Sequence, residues 1–148
     1  LALYSEGREE GLKRYCTEMN GFRVGREGHS YAHVCPYPVE AEFLGGYADG
    51  ERVHAATSRL ESARPDLSSA DSRAEKRARQ ADGVEDELRN PKLTDEQTRE
   101  LRDRLQRLRR ERREAIEDGR RAEAAIRDAE REVDDLRARY APRYGDWW

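Results

Sequence analysis

Residues 101–140 read LRDRLQRLRRERREAIEDGRRAEAAIRDAEREVDDLRARY, and the spacing of the apolar side chains in this stretch decides the fold. Leu101, Leu105, Leu108, Arg112, Ala115, Gly119, Ala122, Ile126, Ala129, Val133, Leu136 and Tyr140 follow one another at alternating intervals of three and four. That is a heptad seam, the pattern of a helix that buries one narrow stripe against another helix. Upstream, Ala56, Leu60, Ala63, Leu67, Ala70, Ala74, Arg77, Ala81, Val84 and Leu88 repeat it. Between the seams, Asn90 and Pro91 break the helix, while Thr94 and Gln97 form a capping box that starts the next one. The spacing predicts an antiparallel coiled-coil hairpin over 53–140 with its turn near 89–94. Pro65 lies inside the first helix, but the heptad phase continues across it, which favours a kink over a termination.

A turn centred near residue 93 pairs positions whose numbers sum to about 186, so Leu67 meets Gly119 and Leu60 meets Ile126. Large residues then face small ones, and the many alanines predict closely spaced helices over a thin core. At 1.5 Å per residue, 95–140 would extend roughly 70 Å. In this register Arg73, Lys76, Arg77 and Arg79, with Glu75 among them, face Arg107, Arg109, Arg110, Arg112 and Arg113, with Glu111 among them. The result is a band of net charge +7, with Arg77 and Arg112 on the seam itself. Facing like charges are destabilising unless an anion compensates, which makes this band the candidate partner-binding surface.

Composition changes sharply outside the seams. Residues 1–50 hold eight of the eleven glycines and seven of the eleven aromatics but only thirteen charged residues, whereas 51–140 hold 46 charged residues and two glycines. A small Gly/aromatic-rich helical head over 1–52, joined to solvated helices, accounts for that division. The net charge of −3 arises from 29 basic and 32 acidic residues that are interleaved, which argues against nucleic acid as the partner. Apolar runs fall far short of the roughly 18–20 residues needed to span a bilayer.

Within the head, Tyr4, Gly7, Glu10 and Gly11 spell a pattern that Phe43, Gly46, Asp49 and Gly50 repeat. Glycines four apart share a helix face, so the repeat predicts two short helices, about 3–16 and 39–52, crossing with Gly7 and Gly11 against Gly46 and Gly50. Residues 20–33, with three glycines, read as a loop. Cys16 and Cys35 flank it, and a disulfide between them would stabilise so small a head by roughly 3 kcal/mol in an oxidising compartment; two buried thiols are the alternative. The loop lacks the Lys-Ser/Thr ending of a P-loop, and Cys16, His29, His33 and Cys35 lack the spacing of a zinc knuckle, so neither a cofactor nor a metal is expected. At the far end Tyr140, Tyr144, Trp147 and Trp148 form an aromatic tail over 141–148 and the turn before it, expected to pack on the head or on a partner.

The order of Tyr4, Gly7, Gly11, Leu12, Tyr15-Cys16, Gly21, Gly25, Gly28, Tyr31, Cys35-Pro36, Phe43, Gly46, Tyr47 and Gly50 resembles an uncharacterised family of bacterial envelope lipoproteins, domain-of-unknown-function family 2799. The resemblance covers residues 3–52 and the C-terminal half of the family's pattern. It implies a Gram-negative protein, periplasmic or attached to the outer membrane, with a lipid-anchor cysteine and an earlier Trp/Tyr-Gly-acid-Gly segment upstream of Leu1. It also implies that Cys16 or Cys35 could pair with an upstream cysteine. The family has no assigned activity.

Together these readings predict a non-enzymatic scaffold subunit that presents a hairpin to a larger envelope assembly. The expected partner is a protein, with an anionic polymer or lipid as the other anionic candidate, and membrane association comes only through an upstream anchor. A small-anion-binding enzyme or a ligand-binding protein using the Gly-rich loop 20–33, with Arg26, His29 and Tyr31 around the anion, is one alternative. Self-assembly, with the seams pairing between chains, is the other.

Overall fold

The computed structural model describes residues 2–146 and is mainly helical, with α1 at Ala2–Tyr15, α2 at Glu18–Arg26, α3 at Val39–Leu88 and α4 at Asp95–Tyr144. No strand occurs among the described residues. The helices divide into two compact units, one formed by the chain up to Leu60 with the chain from Asp128, the other by Glu61–Arg127.

In the first unit, residues 18–26 form a helix where the glycine count predicts a loop. Thr17 caps it in an extended conformation, its side chain accepting from the Asn20 amide at 3.2 Å. At the other end, Gly28 takes φ 76°, its amide bonding the Gly25 carbonyl while His29 bonds that of Val24, a Schellman ending that favours glycine. Gly21 and Gly25 are consumed by packing. A Cβ on Gly21 would strike the Phe43 carbonyl oxygen, one on Gly46 the Glu18 carbonyl oxygen, and one on Gly50 the Phe22 carbonyl oxygen. The partner numbers rise together along both helices, so α2 and α3 cross in parallel at backbone contact.

This corrects the expected pairing of Gly7 and Gly11 with Gly46 and Gly50. A Cβ on Gly7 or Gly11 would meet nothing within 4 Å, and α1 buries none of its residues. The disulfide gives the physical reason. It links Cys16, just before α2, to Cys35, just before α3, and so holds the starts of those two helices together. The Asn20 side-chain amide also donates to the Tyr15 carbonyl at 2.8 Å, turning the chain between α1 and α2.

Two apolar clusters complete this unit. Phe43, fully buried, lies with Cys16, Val24, Tyr31 and Cys35, and Tyr15 stacks on it with ring centroids 5.2 Å apart. Phe22, also fully buried, stacks on Tyr144 at 4.0 Å and meets Tyr140 edge-on at 5.7 Å, beside Val53, Ala56 and Leu136. Tyr140 and Tyr144 thus pack where the sequence expects the aromatic tail, whereas Trp147 and Trp148 lie outside the described residues.

In the second unit, Ala63, Ala70, Ala81 and Val84 of α3 are buried, as are Leu105, Leu108, Ala115 and Ala122 of α4. Ala81, Val84, Leu105 and Leu108 form one cluster. α3 continues through Pro65 without a break. Asn90 accepts from the Lys92 amide at 3.0 Å, and Thr94 and Gln97 exchange bonds of 2.9 and 3.1 Å as the capping box requires.

The register differs from the expected sum of 186. Arg77 contacts Glu111, Arg73 bonds Asp118 at 3.0 Å and Arg109 bonds Glu85 at 2.7 Å, giving sums of 188 to 194. Gly119 still lies near Leu67, but Ala70 is closer. A shift of this size matters because charges on these helices change sign every few residues. It moves the segment facing 73–79 from the arginine run to one that includes Glu111, Glu114, Glu117 and Asp118. Arg112 is exposed, and Glu111 takes the half-buried seam position beside Arg77.

Candidate interaction surface

The first unit carries a polar knot around Asp49. This carboxylate accepts from the Tyr140 hydroxyl at 3.0 Å, the Tyr144 hydroxyl at 2.9 Å and Arg52 at 2.8 Å. Arg52 also donates to the Tyr140 oxygen at 3.2 Å, and Arg143 pairs with Glu18 alongside. Burial pushes the Tyr144 hydroxyl well above the usual tyrosine range, and its bond to Asp49 adds to the shift. Sequence reading noted Asp49 only as the acidic letter of a repeat, and missed Arg52 and Glu18. Apart from the local bond of Arg52 to Asp49, their partners lie 88 to 126 residues away, beyond any local signal.

Cys16 and Cys35 are bonded, with Cα atoms 5.6 Å apart. The residues proposed to hold a small anion have separate surroundings. Tyr31 is buried, its hydroxyl donating to Glu40 at 3.1 Å and accepting from the Cys35 amide at 2.9 Å; burial raises its pKa. His29 is exposed beside Glu27. Arg26 lines an open groove with Thr17, Met19, Asn20, Arg23 and Tyr144, where Arg23 already donates to Asn20 and Glu27. Among the described residues no cluster of His, Cys, Asp and Glu suits a metal ion.

The nine basic residues of the expected band all fall in the second unit and separate into two groups. Arg73, Arg77 and Arg109 are neutralised across the helix pair by Asp118, Glu111 and Glu85, and Arg79 pairs with Glu75 in its own helix at 3.7 Å. Hydrogen bonds from Arg73 and then Arg121 hold the Asp118 carboxyl below the usual carboxylate range. These pairs correct the inference that like charges face one another unopposed. Lys76, Arg107, Arg110, Arg112 and Arg113 remain, all exposed and without an ion pair among the described residues.

The chain is thus an α-helical protein with a disulfide-linked, glycine-packed segment and two 50-residue helices. Residues 1–52, the α1–α2 region and the start of α3, match the family model described as a protein of unknown function, DUF2799. No curated protein and no solved structure matches the chain. No helix among the described residues is long and apolar enough to cross a membrane.

Proposed function

We propose that this protein is a non-enzymatic scaffold subunit of the Gram-negative cell envelope, in which α3 and α4 act as an antiparallel coiled-coil hairpin that docks an acidic protein partner. The observation that carries the reading is the set of exposed cations left over from the ion pairs of the second unit. Arg107 and Arg110 sit one helical turn apart on α4, and Arg112, Arg113 and Lys76 are exposed as well. Exposed guanidinium groups bind carboxylates bidentately and speed encounter with an acidic surface. The disulfide favours an oxidising compartment, in keeping with a periplasmic or outer-membrane-attached location.

The test is cross-linked co-purification from the native envelope with the wild type and Arg107→Glu/Arg110→Glu. Loss of one discrete partner with the variant supports the reading. Equal recovery of every protein refutes it, and capture of anionic polymer or lipid in place of protein reassigns the surface.

A further inference from the structure

Outside the buried seam, each helix of the second unit carries a second heptad stripe on the side marked by the Arg109–Glu85 pair. Counting back from Glu85 in steps of three and four gives Asp82, Ala78, Glu75 and Asp71 on α3. Counting forward from Arg109 gives Arg113, Ile116, Arg120, Glu123 and Arg127 on α4. One stripe carries four carboxylates around a single alanine. The other carries four guanidinium groups and one carboxylate around a single isoleucine. Ile116 is 37 % exposed, the one large apolar side chain of this unit found exposed among the described residues. The approach of Gly119 to Ala70 and Asp71 and the Arg73–Asp118 pair set the level of the two stripes, at which Ile116 lies opposite Glu75, one turn from Ala78.

Within one chain the ion pair between these stripes among the described residues is that of Arg109 and Glu85. Glu75 turns to Arg79 of its own helix, and Asp71, Asp82, Arg113, Arg120 and Arg127 form no ion pair among the described residues. The side chains are complementary in sign but diverge on the outer flank of the pair, so a surface is needed that presents the opposite arrangement at the same spacing.

We propose that this surface is the same flank of a second copy of the chain, the inference resting on the hairpin reading of α3 and α4. A two-fold axis along the helix pair lays α4 of one copy over α3 of the other. Arg109 then lies over Asp82 and Arg120 over Asp71, with Arg113 and Ile116 over Ala78 and Glu75 between them and Arg113 within a turn of both Asp82 and Glu75, twice over by symmetry. Glu123 falls one turn beyond the level of Asp71, with Arg120 and Arg127 one turn to either side of it. An axis across the pair would instead set arginine on arginine, so charge alone selects the parallel arrangement. A mostly ionic flank with one apolar anchor per copy belongs to a reversible dimer that weakens with salt.

Sedimentation equilibrium of the purified full chain, disulfide intact, tests the proposal. The wild type is expected to dimerise, while Arg113→Glu/Arg120→Glu and Asp71→Arg/Asp82→Arg are each expected to be monomeric. An equimolar mixture of the two variants should regain dimer, because each supplies the charges the other now needs. Ile116→Ser, which leaves all charges in place, should weaken the wild-type dimer at least tenfold, and this arm stands if either charge variant fails to fold. A wild type that stays monomeric to about 1 mM overturns the proposal. So do charge variants that dimerise unmixed, or fold and remain monomeric when mixed. An acidic helical peptide that binds the flank of a monomeric wild type would show that the occupant is a different protein. Because this readout uses purified protein, its failure is distinct from a failure of partner recovery in cells.

Discussion

Replacing glycine by alanine at matched positions of the internal repeat gives opposite signs in the two copies. At Gly7 and Gly11 an added methyl meets nothing within 4 Å. Alanine there should gain the ordinary helix preference, about 0.5–1 kcal/mol, to the extent that α1 is cooperative with the rest. At Gly46 the methyl would collide with the Glu18 carbonyl oxygen and sit 3.0 Å from the Phe22 amide nitrogen. Both are backbone atoms inside a helix, so no side chain can rotate away, and α2 must lift off α3. That displacement opens the contacts of Phe22 with Tyr140 and Tyr144, and overpacking of this kind costs about 1–3 kcal/mol after the helix preference is offset. Urea unfolding followed by circular dichroism on Gly7→Ala and Gly46→Ala reads the difference directly. Equal destabilisation by both substitutions would refute the assignment of the crossing to α2, and with it the role of the disulfide in choosing that helix.

Reducing the disulfide, or replacing both cysteines by serine, opens a loop of 19 residues' separation and should cost about 3 kcal/mol, read as a lowered urea midpoint. Tyr144→Phe removes a donor from Asp49 and should cost about 1–2 kcal/mol. Because burial raises the Tyr144 pKa in the fold, its contribution is complete below the ordinary tyrosine value near 10 and is lost as pH rises beyond it; the phenylalanine variant should therefore lose less stability than the wild type in alkaline solution. Asp118 shifts in the opposite direction. Its carboxylate stabilises the fold above the ordinary value near 4 and ceases to do so as pH falls toward its lower folded value, so Asp118→Asn should flatten the fall in melting temperature below pH ~4.

Much of the helical content could be read from the sequence because its information is local and periodic. A seam repeated over dozens of residues reports burial directly, and Ala56, Ala63, Ala70, Ala81 and Val84 are all buried where the period puts them. Absolute register is another matter. It depends on where the turn residues place the first layer, and an error of a few residues was enough to turn complementary charges into a facing arginine band. In the head, glycine carries two opposite meanings, breaker and close-packing surface. Gly21 and Gly25 have the same four-residue spacing as Gly7 and Gly11, and only the disulfide and the Schellman ending at Gly28 separate the packed pair from the bare one.

The pairing of α3 with α4 of the same chain is tested most directly by spin labels on Lys76→Cys and Glu114→Cys, two exposed positions on one side of the second unit, with the native cysteines occupied by their own bond. Helix axes about 8–10 Å apart, lengthened only by the two label arms, predict one short, narrow distance that persists when labelled protein is diluted into an excess of unlabelled chain. A broad or long distribution, or a short distance that vanishes on dilution, would contradict the hairpin and favour pairing of the seams between chains.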